Sequence, residues 1–248
     1  MIKYVILLPK RVRQYGLLTV LYKIFVDSTI ILGIDQYIPK DMRWNMAHQF
    51  HTAWKGSQKT MYDLSGYNDR IDSKSREVLT EFYEVGLDFT GKVFVDVGCG
   101  TRGVLPIIKA KERIGVDPTI KKAKKNLNVH DELGIVYFSE KAESFSMMDG
   151  EADVICCNNA LNHFENIDLS LAEMYRVLKP GGMFLLEVFI EKKNIAHTFA
   201  FNECELNKMV TKYFTPIRIK YERLKVKVEI DENMDGHLPM RWGGIFKK

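Results

Sequence analysis

Apolar runs and amphipathic runs alternate through the middle of the chain. In order from Lys92 to Ile190 they are KVFVDV, VLPIIKAKE, RIGVD, IKKAKKNLNV, GIVYF, ADVICC, NIDLSLAEMYRVLK and MFLLEVFI. The spacing of their apolar positions predicts helices for the second, fourth and seventh runs and strands for the others. Because these strands are apolar almost throughout, we expect a parallel sheet with both faces buried.

The last part of the chain has a different pattern. A short helical segment near Glu203 to Lys212 is followed by two strand-rich stretches, PIRIKYERLKVKVEI and RWGGIF, separated by DENMDGHLPM. This arrangement predicts a closing hairpin at one edge of the sheet.

The chain before Lys92 is predicted to be mostly helical. Asp72 or Ser73 is a suitable cap for the helix SREVLTEFYEVG, and Gly86 is its expected stop. We therefore expect a helical N-terminal region at residues 1–87, which would cover the substrate, and a catalytic domain at residues 88–248.

An apolar run from Gly16 to Ile34 approaches the length of a membrane span. Lys23 and Asp27 interrupt it, and together with Thr19 they form one polar stripe on an apolar helix. We expect this helix to pack against the main domain. A peripheral membrane contact through residues 10–34 remains the alternative, since basic residues lie beside it.

Composition bounds the function only broadly. Hydrophobic residues make up 46% of the 248 residues and charged residues 27%, which is typical of a soluble globular protein. The net charge of +4 equals the excess of six Lys or Arg over two Asp in residues 1–40, so no nucleic-acid partner is expected. The four cysteines lack zinc-type spacing, which predicts no metal site and a reducing, cytoplasmic location.

The stretch VFVDVGCGTRG carries the main chemical signal. A strand followed by Gly98, Gly100 and Gly103 allows close approach of a ligand to backbone N–H groups, as in nucleotide-binding loops. Asp96 stands before this loop, where it would repel a pyrophosphate and suit a ligand with a cationic group. Asp117 ends the next strand, 21 residues later, and is placed to accept hydrogen bonds from ribose hydroxyls.

Four motifs in this order, DVGCGTRG, GVDP, ADVICCNNALNHF and RVLKPGG, resemble the class I S-adenosylmethionine-dependent methyltransferases. The resemblance covers roughly residues 88–190 and is closest to small-molecule methyltransferases, including glycan-associated ones. It implies S-adenosyl-L-methionine as cofactor. It also implies a doubly wound, Rossmann-like α/β fold with a seven-stranded sheet of order 3-2-1-4-5-7-6, strand 7 being antiparallel.

The resemblance also implies a set of cofactor-binding residues. The positions that match are Asp96, Gly98, Cys99 and Gly100 for the methionine moiety, Asp117 for the ribose, Pro118, Ala142 and Glu143 for the adenine, and the Asn158 carbonyl for the amino group. Lys141 stands where the family commonly has an acid, so Glu140 or Glu143 is expected to make the adenine contact instead.

The loop after the fourth strand holds the expected catalytic base. His163 lies in NNALNHF at the carboxyl end of a strand, where ligands bind in open α/β sheets, and it either accepts a proton or orients the loop. Asn162 in the same loop, His197 after the fifth strand, and His237 and Arg241 in the closing hairpin are the predicted substrate-binding residues.

The predicted activity is therefore methyl transfer to a small-molecule or glycan-linked acceptor, through a hydroxyl group. Three alternatives remain open: an RNA or protein methyltransferase, for which the basic N-terminus is the only indication; an NAD-dependent oxidoreductase; and a non-catalytic cofactor-binding module. The oligomeric state is not predicted by the sequence.

Overall fold

The computed structural model describes residues 76–86, 88–100, 103–120, 133–190, 201–223 and 240–248, and six isolated positions between 21 and 42. His197, His237 and the expected cap at Asp72 or Ser73 lie outside the described residues, as does most of the segment 10–34. Within the described part, no helix is long and apolar enough to cross a membrane.

Seven strands in the described part of the chain form one sheet. They are β1 (Asp88–Val97), β2 (Lys109–Val116), β3 (Val136–Phe138), β4 (Ala152–Asn158), β5 (Leu178–Ile190), β6 (Thr215–Arg223) and β7 (Met240–Lys247). Their order is β3-β2-β1-β4-β5-β7-β6, and β7 runs antiparallel to both neighbours while the other pairs are parallel. The predicted fold class and strand order are confirmed.

Among the described ranges from residue 76 onward, two α-helices flank the second part of the sheet: α1 (Ile167–Val177) and α2 (Glu203–Thr211). Shorter helical turns occur at Val78–Phe82, Leu105–Ile107 and Leu161–His163. The helices expected at Asn166 to Lys179 and Glu203 to Lys212 are therefore present, with ends that differ by one or two residues. The described turn before β1 ends at Phe82, four residues before the expected stop at Gly86.

The helix predicted for VLPIIKAKE is wrong. Only Leu105–Ile107 form a 3₁₀ turn, and strand β2 begins at Lys109. Lys109 and Ala110 pair with the first residues of β1, Asp88 and Phe89. The segment KAKER has a high intrinsic helix propensity. Pairing with β1 outweighs this propensity, because as a strand β2 buries its apolar second half in the sheet.

Both faces of the sheet are buried around β4, β5 and β7. On one face, the turn at Val78–Phe82 and Tyr83 form a core cluster with Phe94, Val154, Cys156 and Leu185. On the other face, Phe184, Phe246 and Trp242 form an aromatic chain that Phe214 and Tyr175 of α1 extend. Neighbouring positions on a strand point to opposite faces, which accounts for the two separate clusters.

The chain divides into two compact units. One comprises residues 1–68 and 192–200; the other comprises residues 69–191 and 201–248 and contains the sheet. An N-terminal region at residues 1–87 that covers the substrate, followed by a catalytic domain at residues 88–248, stays a prediction.

Helix α2 begins with a reciprocal cap that is open to test. The Asn202 side chain accepts a hydrogen bond from the Glu205 N–H at 2.9 Å, and Glu205 accepts one from the Asn202 N–H at 3.3 Å. We expect Asn202→Ala to lower the free energy of unfolding by about 1 kcal/mol, measured by urea denaturation. The control Asn207→Ala, an exposed position inside the same helix, should cost less than about 0.5 kcal/mol. Equal losses in the two variants would contradict the cap.

Candidate cofactor and acceptor site

The candidate site lies at the edge of the sheet where β1, β2, β4 and β5 end, which we call the carboxyl edge. Parallel strands end on the same side, so this edge collects Asp96, Asp117, Asn158 and Glu187. In the register of the sheet, Asp96 pairs with Cys156 and Asn158 pairs with Glu187. Ligands bind at such an edge in open α/β folds.

The loop after β1 has the backbone conformation that its glycines allow. Gly98 and Gly100 have φ values of 75° and 51°, in the left-handed region that L side chains rarely adopt. A Cβ atom on Gly98 would lie 2.3 Å from the Cβ of Ala160, in the loop after β4. The first glycine therefore also allows the loops after β1 and β4 to touch.

The last glycine of the motif makes room for Asp96. A Cβ atom on Gly103 would lie 2.2 Å from Asp96 Oδ2, and the next residue, Val104, donates its N–H to the same oxygen at 3.1 Å. Asp96 is only 1% exposed. Burial, together with the charge of Asp117 and against the effect of the Val104 N–H, raises the pKa of its carboxyl group to about 7.

Asp117 fastens the glycine loop to the end of β2. Its Oδ2 accepts a hydrogen bond from Gly100 N–H at 2.9 Å, and its Oδ1 accepts from the N–H and the hydroxyl of Thr119 at 2.8 and 2.5 Å. Carboxylate oxygens offer about four lone-pair positions, and these three bonds leave about one of them for a ribose hydroxyl. Pro118 follows on the surface, and its carbonyl accepts from the Ser139 hydroxyl at 3.3 Å.

Cys99 is a buried part of the same loop. Its sulfur lies beside Gly115, where a Cβ atom would come within 2.9 Å of Sγ, and the residue packs with Ile120 and Tyr137. The side chain thus anchors the loop to β2, which leaves its backbone as the part able to face a ligand.

The predicted adenine contacts lie in a segment held by protein groups. Ala142 is buried, and Oε1 of Glu143 accepts hydrogen bonds from the N–H groups of Glu165 and Asn166 at 2.7 and 2.9 Å. Lys141, at the position where the family commonly has an acid, forms a 2.5 Å ion pair with Glu165. Glu143 therefore fastens this segment to the start of α1, and its contact with adenine stays a prediction.

The loop after β4 is tightly built and rich in amides. Asn159 has a φ of 49° and donates its N–H to the Glu187 carbonyl at 2.8 Å. Asn162 is 1% exposed, and neither its amide oxygen nor its amide nitrogen has a hydrogen-bond partner. His163 ends the 3₁₀ turn, is half-buried, and donates its N–H to the Ala160 carbonyl at 2.9 Å.

Arg241 lies within β7 and is almost fully buried. Its guanidinium is within 3.2 Å of Glu77, 3.0 Å of Glu222 and 3.8 Å of Glu187, and it stacks over the Phe82 ring. The structure thus brings Arg241 to the carboxyl edge but surrounds its charge with protein carboxylates. Its contact with an acidic substrate group stays a prediction.

Two residues of this edge were missed by the sequence analysis. Glu187 is a 2% exposed carboxylate on β5, and Tyr83 is a fully buried residue that packs against β4. The hydroxyl of Tyr83 faces the Cys156 thiol, a weak acceptor, and has no nitrogen or oxygen partner. Burial raises the pKa of Tyr83 well above its ordinary value. An acid inside the apolar run MFLLEVFI was the available signal for Glu187.

The described residues fit an adenosyl cofactor with a cationic centre. The glycine loop allows close approach, Asp117 keeps about one free acceptor position, and Asp96 is a buried carboxyl that no cationic side chain pairs with in the described part of the chain. No cluster of three His, Cys, Asp or Glu side chains able to hold a metal ion is found among the described residues.

Comparison with known proteins agrees with this geometry. Residues 95–186 match the family model described as "Methyltransferase domain". The chain is 29% identical over 126 residues to the human thiol S-methyltransferase TMT1A, covering 48% of this chain and 51% of that protein. It is also 29% identical over 111 residues to the ubiquinone/menaquinone biosynthesis C-methyltransferase UbiE of Rubrivivax gelatinosus, covering 42% of each. The chain thus spans about half the length of these curated relatives.

A solved structure shows the same fold. The N-methyltransferase NodS from Bradyrhizobium japonicum WM9, in complex with S-adenosyl-L-homocysteine, is similar with a TM-score of 0.51 and 12% identity, covering 77% of this chain and 91% of that one. The family match identifies a methyltransferase domain at residues 95–186, and the described sheet has the fold of this methyltransferase.

Removal of the Asp117 carboxylate tests the cofactor site. We expect Asp117→Ala to weaken binding of S-adenosyl-L-homocysteine by about 10- to 100-fold, measured by calorimetry, since the loop loses its anchor and the ribose loses a charged acceptor.

Asp88→Ala is the matched control for that variant. Asp88 accepts from the N–H and hydroxyl of Thr90 as Asp117 does from Thr119, but it lies at the opposite end of β1. It should leave affinity unchanged. Equal affinity losses in the two variants would contradict the assignment.

The buried Asp96 predicts a pH dependence of cofactor binding. Its pKa is about 7 in the folded protein and 3.8 ordinarily, so the free protein holds a proton here that the unfolded chain loses. Its contribution to stability therefore falls as pH rises from about 4 to 7. A cationic ligand favours the ionised carboxyl, so affinity should rise by up to about tenfold per pH unit between pH 5.5 and 7.

Calorimetry with S-adenosyl-L-methionine at a series of pH values measures this linkage. The variant Asp96→Asn should bind with an affinity that is nearly independent of pH in the same range. An affinity that does not change with pH in the unsubstituted protein would show that Asp96 does not lose a proton when the cofactor binds.

Proposed function

We propose that this protein transfers the methyl group of S-adenosyl-L-methionine to a hydroxyl group of a small-molecule or glycan-linked acceptor. The observation that carries the proposal is the glycine loop held between two carboxylates, Asp96 and Asp117, at the carboxyl edge. The unpaired amide of Asn162, in the loop after β4 that contacts this glycine loop, supports a hydroxyl acceptor.

When bound, the cofactor supplies an electrophilic methyl group on a positively charged sulfur. The chain's own residues bind and orient it: Asp117 holds the ribose, the bare backbone from Gly98 to Gly100 lies along the methionine moiety, and Asp96 balances the positive charge. The Asn158 carbonyl is the proposed acceptor for the ligand's amino group. Alignment of this kind contributes up to about 7–11 kcal/mol to a bimolecular transfer.

His163 is the proposed general base. It ends the 3₁₀ turn after β4, three residues beyond Ala160, which contacts the first glycine of the loop. An imidazole at this place lies close to the cofactor loop and is able to take the proton that a hydroxyl loses on methylation. Asn162, His197, His237 and Arg241 are the proposed substrate-binding residues.

The named activities of the relatives concern other acceptors. One relative is a thiol S-methyltransferase and the other a C-methyltransferase, and each matches less than half of this chain. The acceptor is accordingly proposed from the residues of this chain.

We further propose a cytoplasmic location, with peripheral membrane contact through residues 10–34 as the alternative.

Transfer of a radiolabelled methyl group tests the proposal directly. The purified protein is incubated with labelled S-adenosyl-L-methionine and representative hydroxyl, amine, thiol and carbon-acid acceptors. Label in a hydroxyl acceptor is the expected result. Cofactor binding without label in any acceptor would instead favour a non-catalytic module, and stabilisation by nicotinamide nucleotides alone would contradict the cofactor.

The variant His163→Gln tests the base. We expect turnover to fall by about 10²- to 10⁴-fold while the affinity for S-adenosyl-L-homocysteine changes less than about twofold. Steady-state kinetics and calorimetry measure the two quantities. Full turnover in this variant would leave His163 with a purely structural role.

A further inference from the structure

Unpaired polar atoms are concentrated in one place. Among the described residues, seven buried side-chain atoms have no nitrogen or oxygen hydrogen-bond partner: Tyr83 Oη, Asn158 Oδ1, Asn159 Oδ1, Asn162 Oδ1 and Nδ2, Arg241 Nε and Trp242 Nε1. Trp242 points to the opposite face of the sheet from Arg241 and packs against Phe246, so we call the other five residues the unpaired polar cluster.

All five residues belong to the same part of the sheet. Asn158 ends β4, and Asn159 and Asn162 lie in the loop that follows it. Arg241 lies at the start of β7, which is antiparallel, so this start lies beside the end of β5. Tyr83 belongs to the core cluster that contains Cys156 of β4 and Leu185 of β5, which places it over the same two strands. The cluster therefore covers the half of the carboxyl edge over β4, β5 and β7, next to the cofactor half over β1 and β2.

Packing alone does not explain the cluster. Protein interiors pair the large majority of buried polar atoms, and each one left unpaired costs about 1–3 kcal/mol. Phe in place of Tyr83 would fill the same space beside Phe82 without that cost. Several such atoms in one half of one edge indicate groups that are reserved for a ligand.

The chemistry of the atoms describes that ligand. The cluster offers three donors, Tyr83 Oη, Asn162 Nδ2 and Arg241 Nε, and three amide oxygens that accept. A matching ligand presents both donors and acceptors at several points. Thiols are weak hydrogen-bond donors and weak acceptors, and quinone rings carry no hydrogen-bond donors. Hydroxyl groups donate and accept, so a molecule with several hydroxyls matches best.

The charge around the cluster favours a neutral ligand. Three carboxylates, of Glu77, Glu187 and Glu222, surround the one guanidinium of Arg241. An anionic acceptor would meet their repulsion, since Arg241 is already fully compensated.

We propose that the unpaired polar cluster binds a neutral, polyhydroxylated acceptor, a sugar or other polyol, and presents one of its hydroxyls for methylation. This inference rests on the proposed methyltransferase function. In the transfer, the acceptor oxygen bonds to the methyl carbon, the bond from sulfur to carbon breaks, and its electron pair returns to sulfur. The hydroxyl proton leaves to His163 or to water. The cluster atoms are covered in this structure, so side chains at the site shift when the acceptor enters.

Tyr83→Phe is the sharpest variant, because it removes one hydroxyl and keeps the buried ring. We expect the KM for the polyol acceptor to rise about five- to fiftyfold, with unchanged affinity for S-adenosyl-L-homocysteine and an unchanged or higher melting temperature. Tyr175→Phe is the matched control, since its ring packs against Phe214 and Lys248, at the end of β7 opposite to Arg241, and the KM of this variant should stay unchanged. Asn162→Leu, close in shape, should raise the KM in the same way.

The acceptor itself is identified with a panel of methyl glycosides, inositol, a monothiol and a hydroquinone, each tested for methylation and for binding to the protein saturated with S-adenosyl-L-homocysteine. Methylation or binding of polyols, weakened in both cluster variants, is the expected result. Transfer only to the thiol or the hydroquinone overturns the polyol inference while keeping the methyltransferase function. Polyols that neither bind nor accept label, or an unchanged KM in both cluster variants, also overturn it. Failure to bind any adenosyl ligand would count against the proposed function itself.

Discussion

The site depends on a single constraint: the loop after β1 is fixed at two points by carboxylates from the sheet. Asp117 accepts the Gly100 N–H, and Asp96 accepts the Val104 N–H. A glycine-rich segment has more conformational freedom to lose on folding than other sequences. These two bonds hold it in one shape before a ligand arrives, so ligand binding does not have to provide the ordering.

This constraint also divides the carboxyl edge into two halves. Asp96, Asp117 and the bare backbone form a half suited to an adenosyl ligand with positive charge. Across the contact between Gly98 and Ala160, the loop after β4 begins a second half, which holds unpaired amides and a buried carboxylate, Glu187. A methyl group passes between the two halves in the proposed reaction. For the proposed methyl transfer, the short distance between the loops after β1 and β4 is therefore as important as the side chains in either half.

Much of the fold was accessible from the sequence because buried parallel strands read as apolar runs. The strands at ADVICC and MFLLEVFI were found in this way, and the resemblance supplied the strand order. The run VLPIIKAKE was misread, since its charged end favours a helix locally while pairing with β1 makes it a strand. Asp96 and Asp117 were found because each acid ends an apolar run.

The acceptor half was harder to find because its polar residues lie inside apolar patterns. Tyr83 has the spacing of a core aromatic, and only three-dimensional packing shows that its hydroxyl lacks a nitrogen or oxygen partner. Arg241 was expected in the closing hairpin as a substrate contact, and it lies in β7 among carboxylates from β5, β6 and the segment before β1. Such side chains come together only through tertiary contacts, which no local pattern records.

A crystal structure with S-adenosyl-L-homocysteine tests the central claim most directly. The account predicts the ribose hydroxyls within hydrogen-bond distance of Asp117, the thioether sulfur over the backbone from Gly98 to Gly100, and the sulfur directed toward the loop that holds Asn162 and His163. A ligand bound elsewhere, or a ribose without contact to Asp117, would contradict it.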